Sequence, residues 1–289
     1  MKIAIIGCGE VGYLYAVALI EAGYTVQLCA PRPSEKVLKL VSDKNITLHR
    51  EINTWLKEID LVISCVPGST SLSVAKEVIP FLTKNATFTD FSSSSSSGKR
   101  EAASLAESNH INFIDIVIMG GVDLTGAKTP LLCAGNDTDK IVSIMKKICA
   151  PIRILENAKA GDAASLKLLR TVFMKGLSAL TVECIVAAET QGVRKLLYEI
   201  LSDFNNTPLC EFLDMLIRNH VTHACRQQHE IHDATTQLKF AGLPVQLLPA
   251  VEALFETTCN NIKANPIENT NPTTEEALQW LVKTRVEND

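Results

Sequence analysis

The chain has 289 residues, 46% hydrophobic and 21% charged, with 28 basic against 32 acidic side chains. That length supports two ordinary domains, each with its own core, and the apolar share excludes a disordered or fibrous chain. The slightly acidic balance, without any block of lysine and arginine, excludes a nucleic-acid partner; no apolar run reads as long enough to span a membrane, and nine cysteines without a Cys-x-x-Cys pair predict free thiols in a reducing compartment, the cytoplasm.

The opening segment 2–6 is too short for a signal-peptide core and reads as a buried strand. It runs directly into Gly7-Cys8-Gly9-Glu10-Val11-Gly12, which opens a helix over 10–22 with Gly23 at C′. A strand, this glycine spacing and a helix in succession predict a dinucleotide-binding turn. Gly7 permits the turn, Gly9 lets backbone approach a pyrophosphate, and Gly12 lets helix and strand pack closely, so that helix N-terminal amides face the anion.

The second strand, 25–29, ends in Cys29-Ala30-Pro31-Arg32-Pro33-Ser34. An acidic residue at this place would bind the adenosine ribose hydroxyls and repel a 2′-phosphate. Here Ala30 stands there, Arg32 is available to pair with a phosphate and Ser34 adds a hydroxyl, so NADP is predicted over NAD. Further strands are expected at 61–65, 87–90, 112–116 and 130–134, separated by amphipathic stretches. Residues 1–160 therefore read as an α/β Rossmann domain with a doubly wound, mostly parallel sheet.

After Gly161 the pattern changes. Asp162 is placed to cap a helix, and Ala164, Leu168, Thr171, Val172, Leu177, Leu180, Ile185 and Ala188 recur at helical spacing as far as Gly192. A helix over 162–191 would be about 45 Å long and would join the two halves. Residues 161–289 read as an all-α domain, with breaks at Pro208, Gly242, Pro244 and Pro249 and a polar linker over 260–271. A last helix follows, with Thr273 and Glu276 as its capping box and Ala277, Trp280 and Leu281 on its apolar face.

These motifs resemble those of the β-hydroxyacid dehydrogenases, which include 3-hydroxyisobutyrate and 6-phosphogluconate dehydrogenases, over nearly the whole chain. Asp115-Ile116-Val117-Ile118-Met119-Gly120, Lys128-Thr129-Pro130-Leu131-Leu132 and residues 167–189 are most similar to a branch of phosphogluconate-dehydrogenase-like proteins with a distinctive C-terminal domain. The resemblance implies that residues 161–289 serve substrate binding and dimerisation and that Cys65, Val66 and Pro67 pass beside the nicotinamide. It also implies that Ser92 meets the cofactor and Ser93 the substrate, within Asp90-Phe91-Ser92-Ser93. Met119-Gly120-Gly121 matches a Ser-Gly-Gly segment whose amides hold a substrate carboxylate, and Met119 in place of serine argues against the common 3-hydroxyacid substrates.

The same resemblance makes Lys167 the catalytic group. Carbonyl reduction needs a proton donor at the oxygen, and an ammonium whose pKa is lowered by burial or a neighbouring cation, here Arg170 or Lys175, both donates and recovers that proton. Thr171 stands where the family has a substrate-binding asparagine, and Lys175, one turn further, is read as an anchor for a carboxylate or phosphate. Met174 stands where phosphogluconate dehydrogenases carry a proton-donating glutamate, so hydride transfer without decarboxylation is expected. His220, His223, His229 and His232 surround Cys225 at helical spacing; with Arg226 and Glu230 they are expected to shape a substrate pocket or a dimer contact, and no metal site is predicted.

The expectation is thus an NADP-dependent oxidoreductase, homodimeric by resemblance, acting on a small hydroxyacid or its oxo or aldehyde partner with Lys167 as general acid and base. The alternatives are a ketopantoate-reductase-like or imine-reductase-like enzyme and a non-catalytic NADPH-binding sensor.

Overall fold

The computed structural model describes residues 1–285. They divide into two compact units, the first spanning Met1–Val172 and the second beginning at Phe173.

The first unit carries one eight-stranded sheet: β1 (Lys2–Ile6), β2 (Thr25–Cys29), β3 (Thr47–His49), β4 (Leu61–Ser64), β5 (Thr87–Asp90), β6 (Asn112–Ile118), β7 (Leu131–Gly135) and β8 (Ile152–Ile154). Their order is β3-β2-β1-β4-β5-β6-β7-β8, with every pairing parallel except β6 against β7. The six anticipated strands are present, β6 two residues longer than expected. The edge strands β3 and β8 are additional; each has three residues, too few for alternation to show in sequence.

Helices cover both faces of the sheet, as parallel strands require. Alternation along β1 shows how: Ile3 and Ile5 enter one core with Leu61 and Ile63, whereas Ala4 and Ile6 enter the opposite core with Val62 and Phe88. The first face is closed by α1 (Glu10–Glu21), α2 (Glu35–Lys44) and α6 (Asp139–Lys147) through Tyr15, Leu19, Val37, Leu40, Ile144 and Met145. The second is closed by α3 (Ser71–Val78) and α4 (Ser96–Ser108) through Ala75, Val78, Ala102 and Ala106. A one-turn helix, α5 (Val122–Thr125), lies between β6 and β7. The chain reverses direction across the sheet between β1 and β4, and such a switch point opens a crevice at the strands' carboxyl ends.

The long helix α7 (Asp162–Thr190) begins in the first unit and ends in the second. Its first turn is not capped by Asp162 as expected. Gly161, at φ +93°, turns the chain so that the amides of Gly161 and Ala164 reach the carboxylate of Asp115 at 3.0 and 3.2 Å, while Asp162 accepts from the Lys159 amide. An 18-residue window of α7 has mean hydropathy 1.5 and is long and apolar enough to cross a bilayer by length and composition, with 11% of it buried. This corrects the expectation that no run qualifies; scattered charges such as Lys175 and Glu183 interrupt the apolar pattern without lowering its mean below that range.

The second unit continues with α8 (Arg194–Leu201), α9 (Leu209–Phe240), α10 (Leu248–Ala264) and α11 (Thr274–Arg285). Pro249 lies in the first turn of α10, where its missing N–H costs nothing. The polar linker is shorter than anticipated, because Asn260 and Asn261 belong to α10 and the Asn261 side chain donates to the Thr284 carbonyl. The capping box of α11 is formed: the Thr273 amide donates to Glu276 at 2.8 Å and the Glu276 amide to Thr273 Oγ1 at 3.2 Å. Cys225 of α9 and Cys259 of α10 form a disulfide, which corrects the expectation of free thiols throughout and removes the premise on which the compartment was inferred. Residues 34 apart in sequence meet only because α9 and α10 pack side by side, a contact that cysteine spacing does not reveal.

Candidate functional site

The glycine turn has the geometry its spacing predicts. Gly7 sits at φ +87°, a conformation L side chains avoid. A Cβ on Gly12 would lie 2.0 Å from the Gly7 carbonyl oxygen, so only glycine permits α1 to start so near β1. A Cβ on Gly9 would meet nothing within 4 Å, and no side chain caps the N-terminus of α1. Open space before uncommitted helix amides is what a pyrophosphate requires, so these residues fit a dinucleotide.

A cleft of about 700 Å³ beside the turn is lined by Gly7, Cys8, Gly9, Glu10, Ala30, Pro31, Arg32, Ser34, Lys36 and Pro67. Arg50 donates to the Pro31 carbonyl and holds the loop in which Arg32 stands. Lys36 was not singled out from sequence, where it reads as a solvated helix charge; it adds a second cation to Arg32 and lies 4.8 Å from the ring centre of Tyr13. Cys8 plays a packing part. It is buried, its thiol donates to the Cys29 carbonyl, and burial first, then the neighbouring Cys29, pushes its pKa up to about 12.

A second cleft of about 460 Å³ lies at the switch point. Glu10 and Val11, Cys65, Val66 and Pro67, Ser92 and Ser93, Gly120 and Gly121, and Lys167 all line it, so one concavity unites segments that the sequence leaves far apart. Gly68, Phe91, Ile118, Val122 and Asp123 complete the wall. Gly68 is required by close approach, since its Cβ would fall 2.7 Å from the Ser93 carbonyl oxygen. The serine loop is shaped by buried Asp90, which accepts from the Ser92 amide at 2.8 Å and from Ser71 Oγ at 2.6 Å. Ser92 Oγ accepts from the Ser94 amide, and Ser95 caps α4 by accepting from the Gly98 amide, so the serines form an ordered turn rather than a linker.

Lys167 projects from the first turns of α7 and its Nζ donates to Ser93 Oγ at 2.9 Å. Burial, then the like charge of Lys99, hold its pKa below the ordinary lysine value, partly opposed by Asp115. The neighbouring cation is therefore Lys99 of α4, not Arg170, which is exposed, or Lys175. Beneath Lys167 lies an ion pair with no solvent exposure, Lys99 Nζ to Asp115 Oδ1 at 2.6 Å. Sequence reasoning placed Asp115 in a strand and passed over Lys99, because in Ser-Gly-Lys-Arg-Glu it has the signature of a surface helix.

The other substrate residues are placed differently. Met119 packs against the apolar cluster that contains Val117, Leu132 and Ala163, its amide donates to the Pro130 carbonyl, and the residues of this segment that line the cleft are Gly120 and Gly121. The Thr171 hydroxyl donates to the Lys167 carbonyl within its own helix. Lys175 lines a separate cleft of the second unit with Ser178, Glu183, Leu243 and Gln246. His220 bonds to Thr258 and His232 to Glu252, Arg226 pairs with Glu230 along α9, and no group of three metal-ligating side chains occurs among the described residues.

Comparison with known proteins gives the family of the first unit and the fold. Residues 2–156 match the family described as the NAD binding domain of 6-phosphogluconate dehydrogenase. An uncharacterized 28.5 kDa protein of Methanothermus fervidus is 26% identical over 80% of this chain and 88% of its own length. A probable 3-hydroxyisobutyrate dehydrogenase of Mycobacterium tuberculosis is 24% identical over 66% of this chain and 65% of its own. An imine reductase of Aspergillus terreus, solved with a nicotinamide cofactor and an azepine, shares the fold with a TM-score of 0.74 at 18% identity, over 95% of this chain and 97% of that one.

Proposed function

Because the chain belongs to the family built on the NAD binding domain of 6-phosphogluconate dehydrogenase, we propose that it is an NADP-dependent oxidoreductase of a small hydroxyacid or its oxo partner, with Lys167 as general acid and base. The observation that carries this reading is the Lys167–Ser93 hydrogen bond at 2.9 Å inside the cleft that the glycine turn, Cys65-Val66-Pro67 and Gly120-Gly121 share. A nicotinamide held in this cleft beside Cys65, Val66 and Pro67 would supply or accept the hydride. Lys167 then holds the proton: burial and the like charge of Lys99 hold its pKa below the ordinary lysine value, which eases its release of a proton to a developing alkoxide, and in the reverse direction the amine takes one from a hydroxyl. Ser93 orients that ammonium, and the Gly120 and Gly121 amides offer donors to a carboxylate.

The preference for NADP rests on Arg32, Ser34 and Lys36 along the cleft that follows β2, where no carboxylate stands at the end of the strand. Met174 carries no proton, which supports hydride transfer without release of carbon dioxide. A homodimer is supported by Leu168, Leu169 and Val172, each more than 60% exposed on α7, because a second copy would remove that apolar stripe from water.

The test is turnover with a panel of hydroxyacids and oxoacids, NADPH against NADH. Lys167→Ala is expected to lower kcat by about 10²–10⁴-fold while cofactor binding persists; full turnover by that variant, or a clear preference for NADH, refutes the corresponding assignment. One observation favours a second reading: Glu10 and Asp123 place two carboxylates on the cleft wall, which suits a cationic imine better than an oxoacid. Turnover of cyclic imines with none of the oxoacid panel would select it.

A further inference from the structure

We propose that Lys99 is a positioning residue for Lys167, its buried ammonium tying the strand end that leads to Ser93 to the helix turn that carries Lys167. The inference rests on the reading of Lys167 as the proton-carrying group. It is carried by the bonds beneath the cleft. Lys99 Nζ donates to the Asp90 carbonyl at 3.1 Å, to Asp115 Oδ1 at 2.6 Å and to the Ile116 carbonyl at 3.2 Å, three acceptors for three protons. Asp90 sets the Ser92–Ser93 turn through its own carboxylate. Asp115 Oδ2 accepts the Gly161 and Ala164 amides, the first turn of α7, one turn before Lys167. Both ends of the Lys167–Ser93 hydrogen bond are thus anchored on one ammonium group with no solvent exposure. A separate tie, Ser96 Oγ to Ser165 Oγ at 2.7 Å, links the same two segments nearer the surface.

A purely structural part would be served as well by apolar side chains of similar volume, since desolvating two charges offsets most of their attraction. Here the pair lies beneath the one lysine of the cleft and acts on it in two ways. It sets the distance to Ser93, and the cation of the pair disfavours a second cation above it. The carboxylates around the site are Asp115 below Lys167, Asp90 of β5 behind the Ser92–Ser93 turn, and Glu10 of α1 and Asp123 of α5 on the cleft wall, while Arg170 on the helix of Lys167 is exposed. Lys99 is the cation that opposes them.

The decisive measurement is the titration of Lys167 followed by NMR of the full-length protein carrying ¹³Cε-labelled lysine, the resonance being assigned by its loss in Lys167→Ala. In Lys99→Met the midpoint is expected to rise, the alkaline limb of the reduction profile to move with it, and kcat to fall by about 10²-fold, the loss that misplacement of a reacting group by an ångström brings. KM for the cofactor should stay at its original value. Because Lys99→Met leaves Asp115 unpaired, the double variant Lys99→Met/Asp115→Asn, free of any unpaired buried charge, is measured beside it and is expected to lose kcat likewise. In a folded variant, either an unmoved Lys167 midpoint in Lys99→Met or an unchanged kcat in the double variant overturns the proposal. Full turnover by Lys167→Ala condemns the catalytic reading instead and leaves the titration, which needs no turnover, to judge Lys99.

Discussion

In the first unit Ile3, Ile5, Tyr15, Leu61, Ile63 and Phe88 have no solvent exposure, whereas the buried apolar residues of the second unit are mostly small, Ala187, Ala188, Ala224 and Ala277 with Val221, Leu243 and Cys259, among the described residues. The sheet unit is stabilised by close-packed area on two faces, each large side chain contributing roughly 1.5–3 kcal/mol by leaving water. The helical unit relies more on directional ties. Glu183 accepts the Gln246, Leu247 and Leu248 amides at the start of α10, Arg218 donates to Thr274, the capping box opens α11, and the disulfide joins α9 to α10. The difference explains where the candidate site lies. A site that must hold a lysine and a serine 2.9 Å apart is built on the unit whose framework is packed from both sides.

Three perturbations would break or sharpen this contrast. The largest effect is expected from Gly12→Ala, which drives a Cβ into the Gly7 carbonyl oxygen at 2.0 Å. A clash of backbone with backbone cannot relax by rotamer change, so a loss on the order of 4–5 kcal/mol is expected, read as a large fall in Tm with loss of cofactor binding. A variant with unchanged Tm would show that the close packing of α1 on β1 is not what holds the sheet unit together.

Reduction of Cys225–Cys259 comes next. The bridge closes residues 34 apart, for which the chain-entropy account gives about 2–4 kcal/mol. Thermal unfolding with and without reductant should show the loss in the transition of the helical unit, leaving cofactor affinity as it was. Equal loss of cofactor affinity would contradict the division of labour.

The smallest effect is expected from Glu183→Ala, about 1–2 kcal/mol for the loss of a cap on α10. Burial pushes the Glu183 carboxyl up, but three amide donors outweigh it and hold the pKa below the ordinary glutamate value. A depressed carboxyl contributes stability that is present above its unfolded pKa and lost as pH falls through the folded one. The difference in Tm between the original protein and Glu183→Ala should therefore be widest at neutral pH and narrow in acid; a constant difference would mean that the side chain acts by packing alone.

Much of the first unit was legible because its signals are local. The glycine turn, the β-strands of four residues or more and the positive-φ Gly23 each depend on residues within a few positions of one another, as does the Thr273–Glu276 box of the second unit. The site was legible in part. Lys167, Ser93, Gly120 and Gly121 do line one cleft, while Met119 faces the apolar cluster of Leu132 and Ala163 and Thr171 bonds back to its own helix. Arg32 was visible beside β2, but Lys36, on the first turns of α2, was not, since a charged helix residue looks the same whether it faces solvent or a cleft.

By itself, the sequence determined that strand, glycine turn and helix would follow one another at the N-terminus, that a doubly wound sheet would result, and that a long helix would carry Lys167 out of it, because propensity, periodicity and glycine's freedom at positive φ act over short stretches of chain. Only the tertiary structure decided that Lys99 would be buried, that Asp115 rather than Asp162 would hold the first turn of α7, and that Cys225 would meet Cys259. These depend on groups 16 to 49 residues apart. A charge is buried only where the folded chain brings enough partners to replace water, and that condition is met by the packing of whole elements rather than by any neighbourhood in sequence.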